Sequence, residues 1–247
     1  TLDVTDSHQR TLLHLAAENG DSATVRVLVD AKAVVDARDK RKRTPLDRAA
    51  EEGHCAAVRV LIDAKAGLDS DDGVYSPLRP AVEKGYTDVV RALLDARATI
   101  PRASEGYTLL SVAASHGFSG IAQLLIHAKA DLNVRDVYKR KSALTRALYS
   151  DNIATVKVLV EAKADLGPGV NGDRRALQTA AVNCLPEIVQ CLLDANACLH
   201  DTGEDKRTVL HLAAQSGRAA NVQVLLEAKP SVDARDDYGQ TPLHLAA

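Results

Sequence analysis

A leucine returns every 32 to 34 residues from one end of this chain to the other. The leucines of this series are Leu13, Leu46, Leu78, Leu110, Leu144, Leu177, Leu210 and Leu243. Self-similarity at a fixed period of this size is typical of repeat architectures, in which each unit packs only against its neighbours. The period therefore predicts one elongated array of similar units rather than a domain built around a single central core.

Each repeat has the sequence signals of two short helices. The first is preceded by an N-cap threonine at Thr11, Thr44, Thr108, Thr208 and Thr241, with proline next at Pro45, Pro77 and Pro242. It ends at Gly20, Gly53, Gly85, Gly117 and Gly217. The second helix carries one apolar stripe at i, i+3 and i+4, as in Val25, Leu28 and Val29. Because one unit cannot bury its own stripe, we expect the units to stack.

The motif TPLHLAA at 241–247 and the period resemble the ankyrin repeat over the whole chain. The resemblance implies an all-α fold, an ankyrin-repeat α-solenoid of helix-turn-helix units joined by β-turn or hairpin fingers. We expect a single array over residues 1–247, with units at about 6–38, 39–70, 71–102, 103–135, 136–169, 170–202 and 203–235 and a partial unit at 236–247. Both ends align with the interior of a repeat, so we expect the parent array to continue beyond them.

The end of each second helix departs from the family pattern, which has glycine there. This chain has Lys32, Lys65, Arg97, Lys129, Lys163, Asn196 and Lys229 at the seven joints. Asparagine tolerates the left-handed region well, so Asn196 indicates that the left-handed turn is kept. The acids two residues earlier, such as Asp30, are placed to pair with the joint lysines across repeats. A capping role and a basic rail for an acidic partner both remain open.

Composition and motifs argue against several classes of function. The net charge of −2 gives no general attraction to nucleic acid, and no apolar run approaches the length of a transmembrane helix. The sequence lacks the common nucleotide-binding, hydrolase and metalloprotease motifs. We expect no enzyme activity, no cofactor or metal, no small-molecule substrate, no nucleic acid and no direct membrane insertion. The four cysteines predict reduced thiols in an intracellular, cytosol-like compartment.

Three histidines occupy the TPLH position, at His14, His211 and His244. The family resemblance implies that each bonds back to its threonine and to the loop. Other units carry Asp47, Arg79, Ser111, Thr145 and Gln178 at the same place. That variety favours a local structural role over a catalytic one.

The fingers between units are the first candidate binding surface, because loops are least constrained by packing. Their charged and tyrosine residues are Lys40, Arg41, Lys42, Arg43, Asp71, Asp72, Tyr75, Glu105, Tyr107, Tyr138, Lys139, Arg140, Lys141, Arg174, Arg175, Lys206, Arg207 and Tyr238. Tyrosine and arginine often dominate interface energies. The second candidate is the concave face that the family presents, with Arg48, Glu51, Glu52, Lys84, His116 and Arg146.

These features predict a non-catalytic scaffold for protein–protein interaction, with a structural subunit of a larger assembly as one form of it. The alternative is a targeting or regulatory arm of a larger enzyme, ubiquitin-ligase adaptor or ion channel. The partner is expected to be another protein, whose identity the sequence does not give.

Overall fold

The computed structural model describes residues 4–69, 76–101, 107–135, 141–167 and 175–246. Within these ranges the chain forms α-helices and one short 3₁₀ turn at Glu204–Lys206, and it forms no strand. The helices are α1 Leu12–Glu18, α2 Ser22–Asp30, α3 Pro45–Glu51, α4 Cys55–Asp63, α5 Leu78–Glu83, α6 Thr87–Asp95, α7 Leu109–His116, α8 Ser119–His127, α9 Ala143–Tyr149, α10 Ile153–Glu161, α11 Ala176–Asn183, α12 Pro186–Asp194, α13 Val209–Gln215, α14 Ala219–Glu227 and α15 Pro242–Ala246. The all-α class expected from the sequence is therefore confirmed.

The chain divides into two compact units. The first comprises Thr1–Ser104 with Gln123–Ala130, and in it α1, α3 and α5 stack in order while α2, α4 and α6 stack beside them. The second comprises Glu105–Ala122 with Asp131–Ala247. There α7, α9, α11, α13 and α15 form one row, and α10, α12 and α14 form the other. Each unit is thus a stack of helix pairs with the core between the two rows.

The predicted N-caps explain where the first helices begin. The side chains of Thr11, Thr44, Thr108 and Thr208 each accept a hydrogen bond from the backbone N–H three residues later, as predicted. Pro45 occupies the first helical position, also as predicted. Pro77 differs, because it lies at the N-cap of α5 and the helix starts at Leu78. With proline at the cap, no cap side chain is available to accept a hydrogen bond there.

Every second helix ends in a left-handed turn without glycine, as the sequence predicted. The φ angles are 67° at Lys32, 65° at Lys65, 69° at Arg97, 66° at Lys129, 67° at Lys163, 60° at Asn196 and 55° at Lys229. At the first joint the Lys32 N–H donates to Val29 O at 2.9 Å and the Ala33 N–H donates to Leu28 O at 3.0 Å. This pair of bonds is a Schellman motif, and it recurs at the next joints. The joint side chains are exposed, and in the described residues none forms an ion pair with the preceding acids.

The first helices α1, α3, α5, α7 and α13 end in a left-handed turn at glycine, whereas α9 has Asp151 there and α11 ends at Cys184 in an extended conformation. At Gly20 and Gly53 the reason for glycine is space. A Cβ on Gly20 would lie 2.5 Å from the ring of His54, and a Cβ on Gly53 would lie 2.9 Å from the ring of Tyr86. A side chain of the following repeat therefore covers the turn. The joints of the second helices are open to solvent, so a side chain there meets no steric obstacle. Its only cost is the left-handed backbone conformation, about 1–2 kcal/mol for a non-glycine residue.

The next repeat supplies side-chain donors to carbonyl groups at the ends of several first helices. His54 Nε2 lies 3.0 Å from Glu18 O, and Lys84 Nζ donates to Glu51 O at 2.6 Å. These two bonds satisfy carbonyls that have no partner within their own helix. In the second unit the Ser150 hydroxyl lies 3.2 Å from Ala114 O and the Cys184 thiol donates to Leu148 O, and these carbonyls also accept from the N–H groups of Gly117 and Asp151.

Candidate protein-binding surface

An aspartate organises each of the fingers at 6–10, 39–43 and 236–240, and it is buried in the last two. In the finger at 39–43, Asp39 Oδ1 accepts hydrogen bonds from the N–H groups of Arg41 at 2.8 Å and Arg43 at 2.9 Å. The Asp39 N–H in turn donates to Arg43 O at 2.9 Å, which closes the turn. Asp6 and Asp236 make the same bonds in the fingers at 6–10 and 236–240. The aspartate fixes the backbone, so its carboxylate is unavailable to a partner.

The hydrogen bonds to these aspartates keep them ionised. Burial works to raise the pKa of Asp39, but the backbone donors of the turn and the Arg48 guanidinium outweigh it and lower that pKa. The Arg10 backbone and side chain, with the His8 backbone, lower the pKa of Asp6 to about 2 despite the opposing effect of burial. A stable negative charge at the centre of the finger favours arginines around it.

The TPLH histidine ties the first helix to the finger, as the family resemblance implied. The Thr11 N–H donates to His14 Nδ1 at 3.1 Å, so that nitrogen is the acceptor and the proton is on Nε2. His14 Nε2 then donates to Arg43 O at 3.0 Å. His211 makes the equivalent bonds to Thr208 and to Gln240 O. Both rings are fully buried, which fits the predicted structural role.

The basic run at 40–43 is divided by the turn. Lys40, Arg41 and Lys42 are exposed, whereas only 12% of the Arg43 side chain is exposed. Arg43 forms an ion pair with Glu51 and lies 3.7 Å from Asp39. The tip of this finger is therefore the segment 40–42, and Arg43 belongs to its base.

Arg48 of the predicted concave face is also an internal residue, with 13% of its side chain exposed. Its Nη2 lies 2.6 Å from Asp39 Oδ2, and its Nη1 lies 3.6 Å from Glu18 Oε1. Glu51 accepts from Arg43, as noted. The side chains of Arg48 and Glu51 therefore hold finger and helix together, which limits what they can offer to a partner.

The finger pair at 203–207 and 236–240 has different tips. Lys206 Nζ lies 2.7 Å from Asp237 Oδ1, which raises the pKa of Lys206 through that hydrogen bond. Arg207 at the base lies 3.3 Å from the buried Asp236, and its guanidinium is 6.0 Å from the ring of Tyr238. Tyr238 itself is 70% exposed. This tip therefore presents an aromatic ring beside a neutralised pair of charges.

The other candidates have internal contacts of their own. Arg175 forms an ion pair with Asp201, Lys141 lies 3.5 Å from the Tyr149 ring centroid, and Arg146 lies 4.6 Å from that of Tyr107.

On the predicted concave face, Lys84 approaches Glu52 at 3.7 Å, and the His116 ring stacks on Phe118 at 5.4 Å. Outside the described residues lie Asp71, Asp72, Tyr75, Glu105, Tyr138, Lys139, Arg140 and Arg174.

The comparisons with known proteins decide the family. The sequence profile described as "Ankyrin repeats (3 copies)" matches residues 1–73, 64–136 and 177–247. The chain belongs to the ankyrin-repeat family. The repeats of this family generally mediate protein–protein interaction and are typically non-catalytic.

A solved structure agrees on the fold of this ankyrin array. The crystal structure of the human ASB11 ankyrin repeat domain matches with a TM-score of 0.69 and 23% sequence identity. The match covers 89% of this chain and 98% of that domain. In all, 504 solved chains match, so the fold alone does not select one partner. A search of curated protein sequences finds no match.

Two further properties concern the part of the ankyrin array that the structure describes. None of its helices has the length and apolarity needed to cross a bilayer. No group of three or more His, Cys, Asp or Glu side chains in that part could hold a metal ion. In addition, the Cys184 side chain is buried, and burial raises the pKa of its thiol to about 12.

A cleft that the sequence analysis missed lies between the first two fingers. Its volume is about 240 Å³, and its lining residues are His8, Arg10, Asp39, Lys40, Arg41, Arg43 and Arg48. The missed residues are His8, Arg10 and Asp39. One signal was present in the sequence, since Asp6 and Asp39 each precede an arginine by four residues, directly before the cap threonine.

Proposed function

We propose that this chain is a non-catalytic scaffold that holds another protein through the tips of its fingers, as a structural subunit of a larger assembly. One observation carries the proposal. The described fingers share their internal bonds but differ at their exposed tips, with Lys40 and Arg41 on one and Asp237 and Tyr238 on another. A common backbone frame with different exposed residues supports recognition of a partner by the side chains of the individual tips.

The chemistry of the tips supports a protein partner. Arginine and tyrosine contribute large contact areas and are over-represented among residues that dominate interface energies. Arg41 is exposed and Tyr238 is 70% exposed. Both side chains are far more exposed than Arg43, which forms an ion pair with Glu51 at the finger base. These side chains are therefore available for contacts with another molecule.

The concave face takes a secondary part in this proposal. Arg48 is bonded to Asp39, and Lys84 donates to a carbonyl of the preceding repeat. Replacing either residue removes an internal bond, so a binding defect in such a variant would be confounded with a folding defect. Contacts on this face are expected to come from exposed residues such as Glu52 and His116.

Affinity purification with mass spectrometry, followed by variants, tests the proposal. The triple variant Lys40→Glu, Arg41→Glu and Lys42→Glu reverses the tip and leaves Arg43 and its ion pair in place. The matched control is the triple variant Lys65→Glu, Lys129→Glu and Lys163→Glu, which makes the same three charge reversals at exposed joints. We expect the tip variant to lose the captured partner and the control to retain it, with both variants keeping the wild-type circular dichroism. Equal retention or equal loss of the partner would contradict finger-tip binding.

A further inference from the structure

The cleft between the fingers at 6–10 and 39–43 has a fixed geometry. The Lys40 N–H donates to His8 O at 2.9 Å, which joins one finger to the other. Arg10 is held by Asp6 at 2.8 Å and by Glu18 at 2.9 Å. Arg48 is held by Asp39 in the same way, at 2.6 Å. The backbone of the cleft and the side chains of Arg10 and Arg48 are therefore set in place before any ligand arrives, so binding has to order only the exposed Lys40 and Arg41.

The charge of the cleft is concentrated at its tip. Its lining includes five permanent cations, which are Arg10, Lys40, Arg41, Arg43 and Arg48. Four carboxylates bind three of these arginines, namely Asp6, Glu18, Asp39 and Glu51. Lys40 and Arg41 have no ion pair in the described structure. The excess positive charge therefore lies on these two exposed side chains.

The finger pair at 203–207 and 236–240 shows that this charge is not a property of the fold. The Asp237 N–H donates to Asp205 O at 2.9 Å, the same bond that links Lys40 to His8. Asp237 therefore occupies the position of Lys40, and Tyr238 occupies that of Arg41. The same backbone turn therefore carries Asp237 and Tyr238 in the finger at 236–240 and the two cations Lys40 and Arg41 in the finger at 39–43.

We propose that the cleft binds an acidic, extended segment of the partner protein, with its carboxylate groups against Lys40 and Arg41. The volume of about 240 Å³ is below that of a pocket for a whole small molecule, and it suits side chains entering from a chain outside. A nucleic acid fits less well, because the net charge of −2 gives the chain no general attraction to a phosphate backbone. This inference rests on the proposed function, and it specifies that the part of the partner bound by this cleft is acidic.

Binding of a labelled hexaglutamate peptide, measured by fluorescence anisotropy, tests the inference. The test variant is Lys40→Asp with Arg41→Tyr, which installs the residues that the 236–240 finger carries in the same backbone geometry. The matched control is Lys32→Asp with Lys65→Asn, at two exposed joints. Both double variants change the net charge by three, because Lys→Asp changes it by two and the second substitution by one.

We expect the wild-type chain to bind hexaglutamate and to ignore hexaglutamine. Binding should weaken by at least about tenfold in the test variant and by less than about twofold in the control, and it should weaken as salt is raised. Three results would each overturn the inference: no binding of hexaglutamate, equal weakening in both variants, or competition by inorganic phosphate at the same charge concentration. If the partner of the scaffold is still captured through the finger tips in any of these cases, the inference fails while the proposed function stands.

Discussion

Replacing Gly53 by alanine should destabilise the array far more than the same substitution at Gly217. Both glycines have left-handed backbones, with φ of 78° and 67°. A Cβ on Gly53 would meet three ring atoms of Tyr86 at 2.9 Å, whereas a Cβ on Gly217 would meet nothing within 4 Å. The left-handed strain, roughly 1–2 kcal/mol, applies to both. Forcing a methyl group into a packed contact adds about 1–3 kcal/mol at Gly53 alone.

The expected loss in the free energy of unfolding is therefore about 2–5 kcal/mol for Gly53→Ala and about 1–2 kcal/mol for Gly217→Ala. Urea unfolding followed by circular dichroism gives the global free energy of unfolding of each variant. Native-state hydrogen exchange in α3, α4, α13 and α14 gives the local values, which matters because repeat arrays do not always unfold in one step.

A double-mutant cycle isolates the steric part of this loss. In a Tyr86→Ala background the ring is absent, so Gly53→Ala should cost only about 1–2 kcal/mol, as at Gly217. The reasoning would be refuted if Gly53→Ala and Gly217→Ala had equal effects. It would also be refuted if removal of the Tyr86 ring left the cost of Gly53→Ala unchanged.

Three further predictions concern other features. Burial lowers the pKa of His14, so the unfolded chain takes up a proton at a higher pH than the folded chain. The wild type should therefore lose stability relative to His14→Gln as the pH falls below about 6.5, and parallel curves of urea midpoint against pH would contradict this. Glutamine is a suitable replacement, because Gln178 accepts and donates hydrogen bonds at the same repeat position without a charge. The substitutions Lys32→Gly and Lys163→Gly should each raise the free energy of unfolding by about 0.5–1 kcal/mol, because relief of left-handed strain exceeds the added entropy of the unfolded chain. Urea midpoints lower than that of the wild type would instead show that the lysine side chains stabilise the fold. Iodoacetamide should label the exposed Cys198 of the native chain and spare the buried Cys184, whose pKa is about 12. Peptide mass spectrometry measures the labelling of each cysteine. Labelling of Cys184 as early as Cys198 would show that the repeat around Cys184 opens.

The repeat period and cap residues were enough to predict the fold. Thr11 and its equivalents act locally, within one turn of helix, so their effect does not depend on what packs nearby. The left-handed turns at the joints could be predicted for the same reason, because the turn that ends a helix is also a local feature of the chain. The family resemblance implied that His14 would bond to its threonine and to the loop, and both bonds are present.

The candidate site was harder to predict because it depends on contacts across the fold. The run at 40–43 has four adjacent cations, and its charge pattern does not separate Arg43 from the others; only the repeated spacing of Asp39 and Arg43 before the cap threonine does. The separation arises because the turn closed by Asp39 returns the chain and points Arg43 towards Glu51, eight residues later. Arg48 is internal for a similar reason, since its partner Glu18 belongs to the preceding repeat. Whether the finger tips bind a partner remains a prediction.

The hydrogen bonds that close several first helices give the array a direction. The carbonyls of Glu18 and Glu51 receive their side-chain donors from the repeat that follows them, through His54 and Lys84. During synthesis on the ribosome, these repeats are therefore completed only when their successors have emerged and docked. The stability of the nascent chain should accordingly lag its length by one repeat, and a pause in translation would leave the last-made first helix with bare carbonyl groups open to water or to a chaperone.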